Sequence, residues 1–144
     1  MQTIYSEHMF SRFEKELGPC ADDLGISRSI FQRPDVEFPI EQYYRMLECA
    51  AGSTDPHIGL SMGRSLRTSD LGAFGHAVEA APTVRYALQL VERYIYVFAH
   101  ANIVRLDIGK ELFILGYNLT DPHLAIHQQD VDLVMSMMVK TIRD

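Results

Sequence analysis

The sequence predicts an α+β fold: a mostly helical N-terminal part, then a β-hairpin of a small sheet, then a C-terminal helix. Three observations carry that expectation. Apolar residues recur at 3–4 spacing through most of the chain up to about residue 101. The period then switches to strict alternation at Val104, Leu106 and Ile108. Helical spacing returns near the end, where Leu124, Val131, Val134, Met135, Met138 and Ile142 share one face.

The first helix is predicted over about 3–17, on Ile4, Met9, Phe10, Phe13 and Leu17. Gly18-Pro19 ends it, because proline lacks the N–H that a continuing helix needs. A helical turn at 21–24 follows, and residues 28–38 read as turn and loop. Pro39 opens a helix over 40–52, which Gly52 stops. Asp55-Pro56 has the form of an N-cap with proline at the first helical position, and the helix runs to Leu66. Residues 72–81 form a small-residue helix. Pro82-Thr83 breaks it and starts a longer one to about Ala101, apolar on two rows and so buried on two sides. Gly109-Lys110 is read as a two-residue hairpin loop. The return strand, Leu112–Leu119, is apolar on both faces, which predicts a covered strand. The last helix is placed at about 123–142.

A chain of 144 residues fits one domain, and its 47% hydrophobic and 22% charged residues suit a globular protein with a sizeable core. No run of 18 apolar residues is present, so no membrane span is expected, and the charged N-terminus does not read as a signal peptide; a cytoplasmic location follows. Thirteen Lys and Arg stand against 19 Asp and Glu, a net charge of −6. Direct grip on DNA phosphates needs clustered cations and is excluded on this balance. Cys20 and Cys49 make no CxxC pair and are read as two reduced, partly buried thiols.

Few constellations carry chemistry. Gly59-Leu60-Ser61-Met62-Gly63 matches the G-x-S-x-G nucleophile elbow, whose serine works only on a sharp strand-to-helix turn. No strand precedes it here, so Ser61 reads as a helical serine, and Gly59, Gly63, Gly72 and Gly75 as structural glycines that permit close helix packing. His123 and His127 stand four apart, with Asp121, Gln128 and Asp130 nearby, yet no third ligand sits at a defined offset. His76 and His100 read as core histidines. Aromatic residues gather around the long helix and the hairpin. Packing accounts for them; the functional alternative is a small-molecule pocket lined by Tyr94, Phe98, Phe113, Tyr117 and His127, with deformable methionines. No catalytic set, metal site or cofactor is expected.

Four segments carry a family resemblance: FPIEQYYRMLECAA at 38–51, DPHIGLSMGRSLRTSDLGAFGHAVEAAPT at 55–83, ALQLVERYIYVF at 87–98, and the strand pair that follows. Together they resemble the effector-sensing, arabinose-binding-like N-terminal domain of AraC/XylS-type transcription regulators. The resemblance implies a bacterial regulator domain that binds an unnamed small-molecule effector, forms a homodimer and acts on DNA only through a separate C-terminal helix-turn-helix domain. It also implies that residues 1–144 are a partial sensing domain. No catalytic residues come with it. The alternatives are a serine hydrolase using Ser61 and a ligand-free interaction module.

Overall fold

A computed structural model describes residues 2–100, 102–119, 121 and 127–144. Among them the chain forms eight α-helices and two separate antiparallel strand pairs, a mostly helical α+β fold. In chain order these are β1 (Thr3–Tyr5), α1 (Glu7–Ser11), α2 (Glu14–Asp23), α3 (Ser29–Gln32), β2 (Glu37–Pro39), α4 (Ile40–Ser53) and α5 (Ile58–Ser65). A 3-10 turn at Thr68–Leu71 leads into α6 (Gly72–Glu79), α7 (Val84–Phe98), β3 (Asn102–Ile108), β4 (Phe113–Leu119) and α8 (Gln128–Arg143).

The middle of the chain follows its local signals. Pro39 precedes α4, and Thr83 caps α7 by accepting from the Tyr86 N–H at 3.1 Å. The hairpin keeps its alternation, with Val104 opposite Tyr117 and Leu106 opposite Leu115. Its turn sits one residue later than expected. Ile108 pairs with Phe113, and the Gly109 N–H bonds the Leu112 carbonyl at 2.9 Å, so Lys110-Glu111 occupy the tip.

The N-terminus corrects the expected helix over 3–17. Ile4 lies in β1 opposite Phe38 of β2 and bridges Ala99 after α7. These are long-range backbone pairings, which helical periodicity cannot reveal. The helix that follows begins late enough for Gly18-Pro19 to fall inside α2 instead of ending it. The expected cover for the return strand is also missing among the described residues: Phe113 and Ile114 are exposed, and the hairpin stands as two strands alone.

The cysteine expectation is overturned. Cys20 of α2 and Cys49 of α4 form a disulfide, with Cα atoms 5.9 Å apart. Their sequence separation of 29 closes a loop whose tethering restricts the unfolded chain and contributes about 3.6 kcal/mol. Cys49→Ser is therefore expected to lower the urea-unfolding free energy by roughly that amount. Full reduction of the native chain should reproduce the loss; a stability indifferent to reductant contradicts the pairing.

The core joins both ends of the chain. Phe10, Leu17, Tyr43, Tyr44, Met46, Leu47, Ile58 and Met62 are almost wholly buried, and α8 lies across α5 and α4 to close it. The closest helix contact depends on missing side chains. A Cβ at Gly59 would stand 1.9 Å from the Gln129 carbonyl oxygen, and one at Gly63 would stand 2.5 Å from that of Leu133. Gly75 sits equally tight against the Thr68 carbonyl, at 1.8 Å, and Gly72 has a φ of +65°. Gly59, Gly63 and Gly75 let α8 and the 3-10 turn approach their neighbours at backbone distance, while Gly72 takes its left-handed backbone beside the Glu7 side chain.

Candidate functional site

The close packing of α8 on α5 fixes what the first turn of α8 presents to the interior. The Gln129 side chain accepts from the Gly59 N–H at 2.9 Å and donates to the Pro56 carbonyl at 3.1 Å. Glu48 of α4 accepts from the Gln129 backbone N–H at 3.1 Å, a carboxylate at a helix N-terminus where free donors and the dipole favour it. With the helix end held from two sides, the next residue, Asp130, points into the core and is only 3% exposed.

Asp130 is the centre of a buried polar cluster. The Tyr43 hydroxyl of α4 donates to its Oδ1 at 2.7 Å, and the Tyr117 hydroxyl of β4 donates to its Oδ2 at 2.7 Å. Three elements thus meet on one carboxylate. Beside them the Tyr44 hydroxyl donates to Asn102 Oδ1 at 3.3 Å, and the Tyr44 ring stacks on His127 with centroids 4.8 Å apart. Burial pushes the Asp130 carboxyl above the usual carboxylate range; the two phenol donors and the nearby His127 pull it back. Burial and the adjacent carboxylate push the phenols of Tyr43 and Tyr117 far up, which keeps them protonated donors.

Tyr43, Asn102 and Asp130 of this cluster line one end of a cavity of about 60 Å³. Phe74 and Phe98, stacked with centroids 6.4 Å apart, form one wall with Val91 and Ile95 of α7. Leu133 and Met137 of α8 form the opposite wall. At the far end the Thr68 and Thr141 hydroxyls bond each other at 2.7 Å. Such a site, apolar on its sides with a few fixed polar groups at one end, is the usual chemistry of a small-molecule pocket. A smaller void of about 10 Å³ lies on the other side of Asp130, next to Tyr117 and His127.

The residues singled out in the sequence divide. Phe98 lines the cavity, Tyr117 holds Asp130, and His127 flanks the smaller void. Tyr94 lies outside, 40% exposed, and Phe113 is on the surface beneath the Arg85 guanidinium. The two apolar rows predicted α7 buried on two sides, but only the row of Leu88, Val91, Ile95 and Phe98 is buried; Tyr86, Tyr94 and Val97 of the other row are exposed. Tyr43 and Asp130 were not selected. A signal existed for Asp130: it falls in the row with Leu133 and Met137, one turn apart on the buried stripe of α8. A carboxylate in an apolar row is the informative exception.

Ser61 lies within α5, and its hydroxyl donates to Asp55 Oδ2 at 2.7 Å. Asp55 Oδ1 also accepts from the His57 N–H at 2.9 Å, and both bonds hold its carboxyl below the usual range. The group organises the turn into α5; no strand-to-helix elbow is formed. No group of three or more His, Cys, Asp or Glu able to hold a metal stands among the described residues, and His123 lies outside them. No helix among the described residues is long and apolar enough to cross a membrane.

The family model of the arabinose-binding domain of AraC transcription regulators, N-terminal, matches residues 16–144. No curated protein matches the chain.

Proposed function

The chain belongs to the arabinose-binding N-terminal domains of AraC transcription regulators, and we propose on that premise that it holds a small-molecule effector in the cavity headed by Asp130. The observation that carries this reading is the joining of α4, α8 and β4 on one buried carboxylate at the cavity's end. A molecule that competes for that carboxylate changes how α8 and the hairpin sit on the helical body. A ligand shifts such an arrangement by its differential affinity for the two states. The readout is DNA binding by a separate helix-turn-helix domain of a bacterial regulator, and the sensing domain itself has no catalytic role.

A thermal-shift screen over amino acids, amines, sugars and fatty acids tests effector binding. At least one class must raise the melting temperature by preferential binding to the folded state. A screen with no hit on a well-folded chain contradicts the role and favours a ligand-free interaction module.

The same role includes a homodimer. Leu112, Phe113 and Ile114 are exposed at the tip of the hairpin, and Tyr96 and Val97 are exposed on α7. A two-stranded hairpin is marginal alone, and these apolar side chains near its turn are left open to solvent. A second copy of this chain is the proposed cover. Ile114→Asp, at a side chain 56% exposed, should leave the fold intact and convert the dimer to monomer in multi-angle light scattering. A wild-type chain that is monomeric at every concentration contradicts this.

A further inference from the structure

Building on the effector-sensing role, we propose that the effector is a small aliphatic amine, a compact apolar body whose ammonium meets the Asp130 carboxylate. The family's description names a sugar, and the cavity does not suit one. A pentose carries a hydroxyl on most of its carbons, and each needs a partner once taken out of water. The long walls here are Phe74, Val91, Ile95, Phe98, Leu133 and Met137. Polar side chains stand only at the two ends, and at one of them the Thr68 and Thr141 hydroxyls already bond each other.

The head group follows from hydrogen-bond bookkeeping at the other end. A carboxylate only accepts, and its two oxygens offer about four sites. Tyr43 and Tyr117 fill one on each oxygen of Asp130. The Tyr43 proton is committed to that bond, so a group that meets Asp130 must donate. A carboxylate head would bring a second negative charge against the first. Among the described residues no Lys or Arg forms an ion pair with Asp130; the nearby His127 stacks on Tyr44. An ammonium supplies the counter-charge and the donors together, in a mostly apolar site where charge-assisted bonds are strong.

The volume limits the body. At about 60 Å³ the cavity is well under the ~150 Å³ that holds the six heavy atoms of benzene, so a branched amine of that size enters only as the walls give way. Met9, Met137 and Met138 border it and can move aside for such a chain.

Four probes of graded chemistry test the proposal on the 144-residue chain by calorimetry and thermal shift: isopentylamine, isopentanol, isovalerate and L-arabinose. Isopentylamine should raise the melting temperature and bind at least about tenfold more tightly than isopentanol, with no binding of isovalerate or arabinose. Asp130→Asn keeps an acceptor for a tyrosine and should erase the preference for amine over alcohol. If that variant fails to fold, Val91→Phe, which fills the cavity, must abolish amine binding instead. Isovalerate or arabinose binding more tightly than the amine overturns the amine and leaves the effector-sensing role standing. Unchanged amine binding in Asp130→Asn, or in a folded Val91→Phe, also overturns it. Binding of none of the four overturns the amine, while the sensing role is decided by the wider metabolite screen.

Discussion

Gly59→Ala is expected to destabilise the fold by more than about 3 kcal/mol, at the upper end of what overpacking costs. On helix propensity alone the change would stabilise α5 by up to about 1 kcal/mol. Packing overrides it. The new methyl would stand 1.9 Å from the Gln129 carbonyl oxygen, a backbone atom that cannot swing away as a side chain can. Either α8 moves off α5 or the first turn of α8 unwinds. Both break the bond from the Gly59 N–H to Gln129 Oε1, and both displace Asp130, the next residue along. Gly52 provides the control. It lies in α4 with nothing within 4 Å of its virtual Cβ, so Gly52→Ala should be neutral or stabilising by up to about 1 kcal/mol. Urea unfolding of the two variants measures the contrast. Equal stabilities would mean that the backbone contact between α5 and α8 does not hold in solution.

Asp130→Leu should cost about 4 kcal/mol, whereas Asp130→Asn should stay within about 1 kcal/mol of wild type at neutral pH. Leucine leaves the hydroxyls of Tyr43 and Tyr117 without their acceptor, and Tyr43 is 1% exposed. Asparagine accepts from one phenol and donates to the other, and it removes the burden of a buried charge. The pH dependence separates the two. In the folded chain the Asp130 carboxyl is raised, by burial first, against the lowering pull of Tyr117, Tyr43 and His127. The native state therefore binds this proton more tightly than the unfolded state does. The stabilising effect of the proton is complete below the ordinary carboxylate range and is lost as pH rises through the folded-state value. The stability of wild type minus that of Asp130→Asn should fall as pH rises across that window and then level off. A flat difference, or one that rises with pH, contradicts a strained buried carboxylate.

Much of the fold was legible in the sequence because much of it is local. Pro39, Thr83 and the 3–4 spacing of Leu88, Val91, Ile95 and Phe98 place α4 and α7 within a few residues of their observed ends. What failed depends on distant partners. Ile4 reads as helical until Phe38 and Ala99 pair with it. Pro19 reads as a stop only if a helix has already run fifteen residues; α2 starts at Glu14, so the proline costs one bond at the Lys15 carbonyl and the helix continues. Cys20 and Cys49 have no spacing signature, and only the packing of α2 on α4 brings them together. The candidate site was half legible for the same reason. The glycine pattern signals close packing, but the partner helix is 70 residues further on, and it is that helix which carries Asp130 inward.

The most direct test of the account is a titration of the chain, labelled at its methionine methyl groups, with isopentylamine, followed by carbon–proton correlation spectra. Met9, Met137 and Met138 border the cavity, Met46 and Met62 are buried elsewhere in the core, and Met135 faces a different groove. Saturable shifts concentrated at Met9, Met137 and Met138, and absent in Asp130→Asn, are the predicted result. Shifts confined to Met135, or none at saturating amine, would contradict an amine site headed by Asp130.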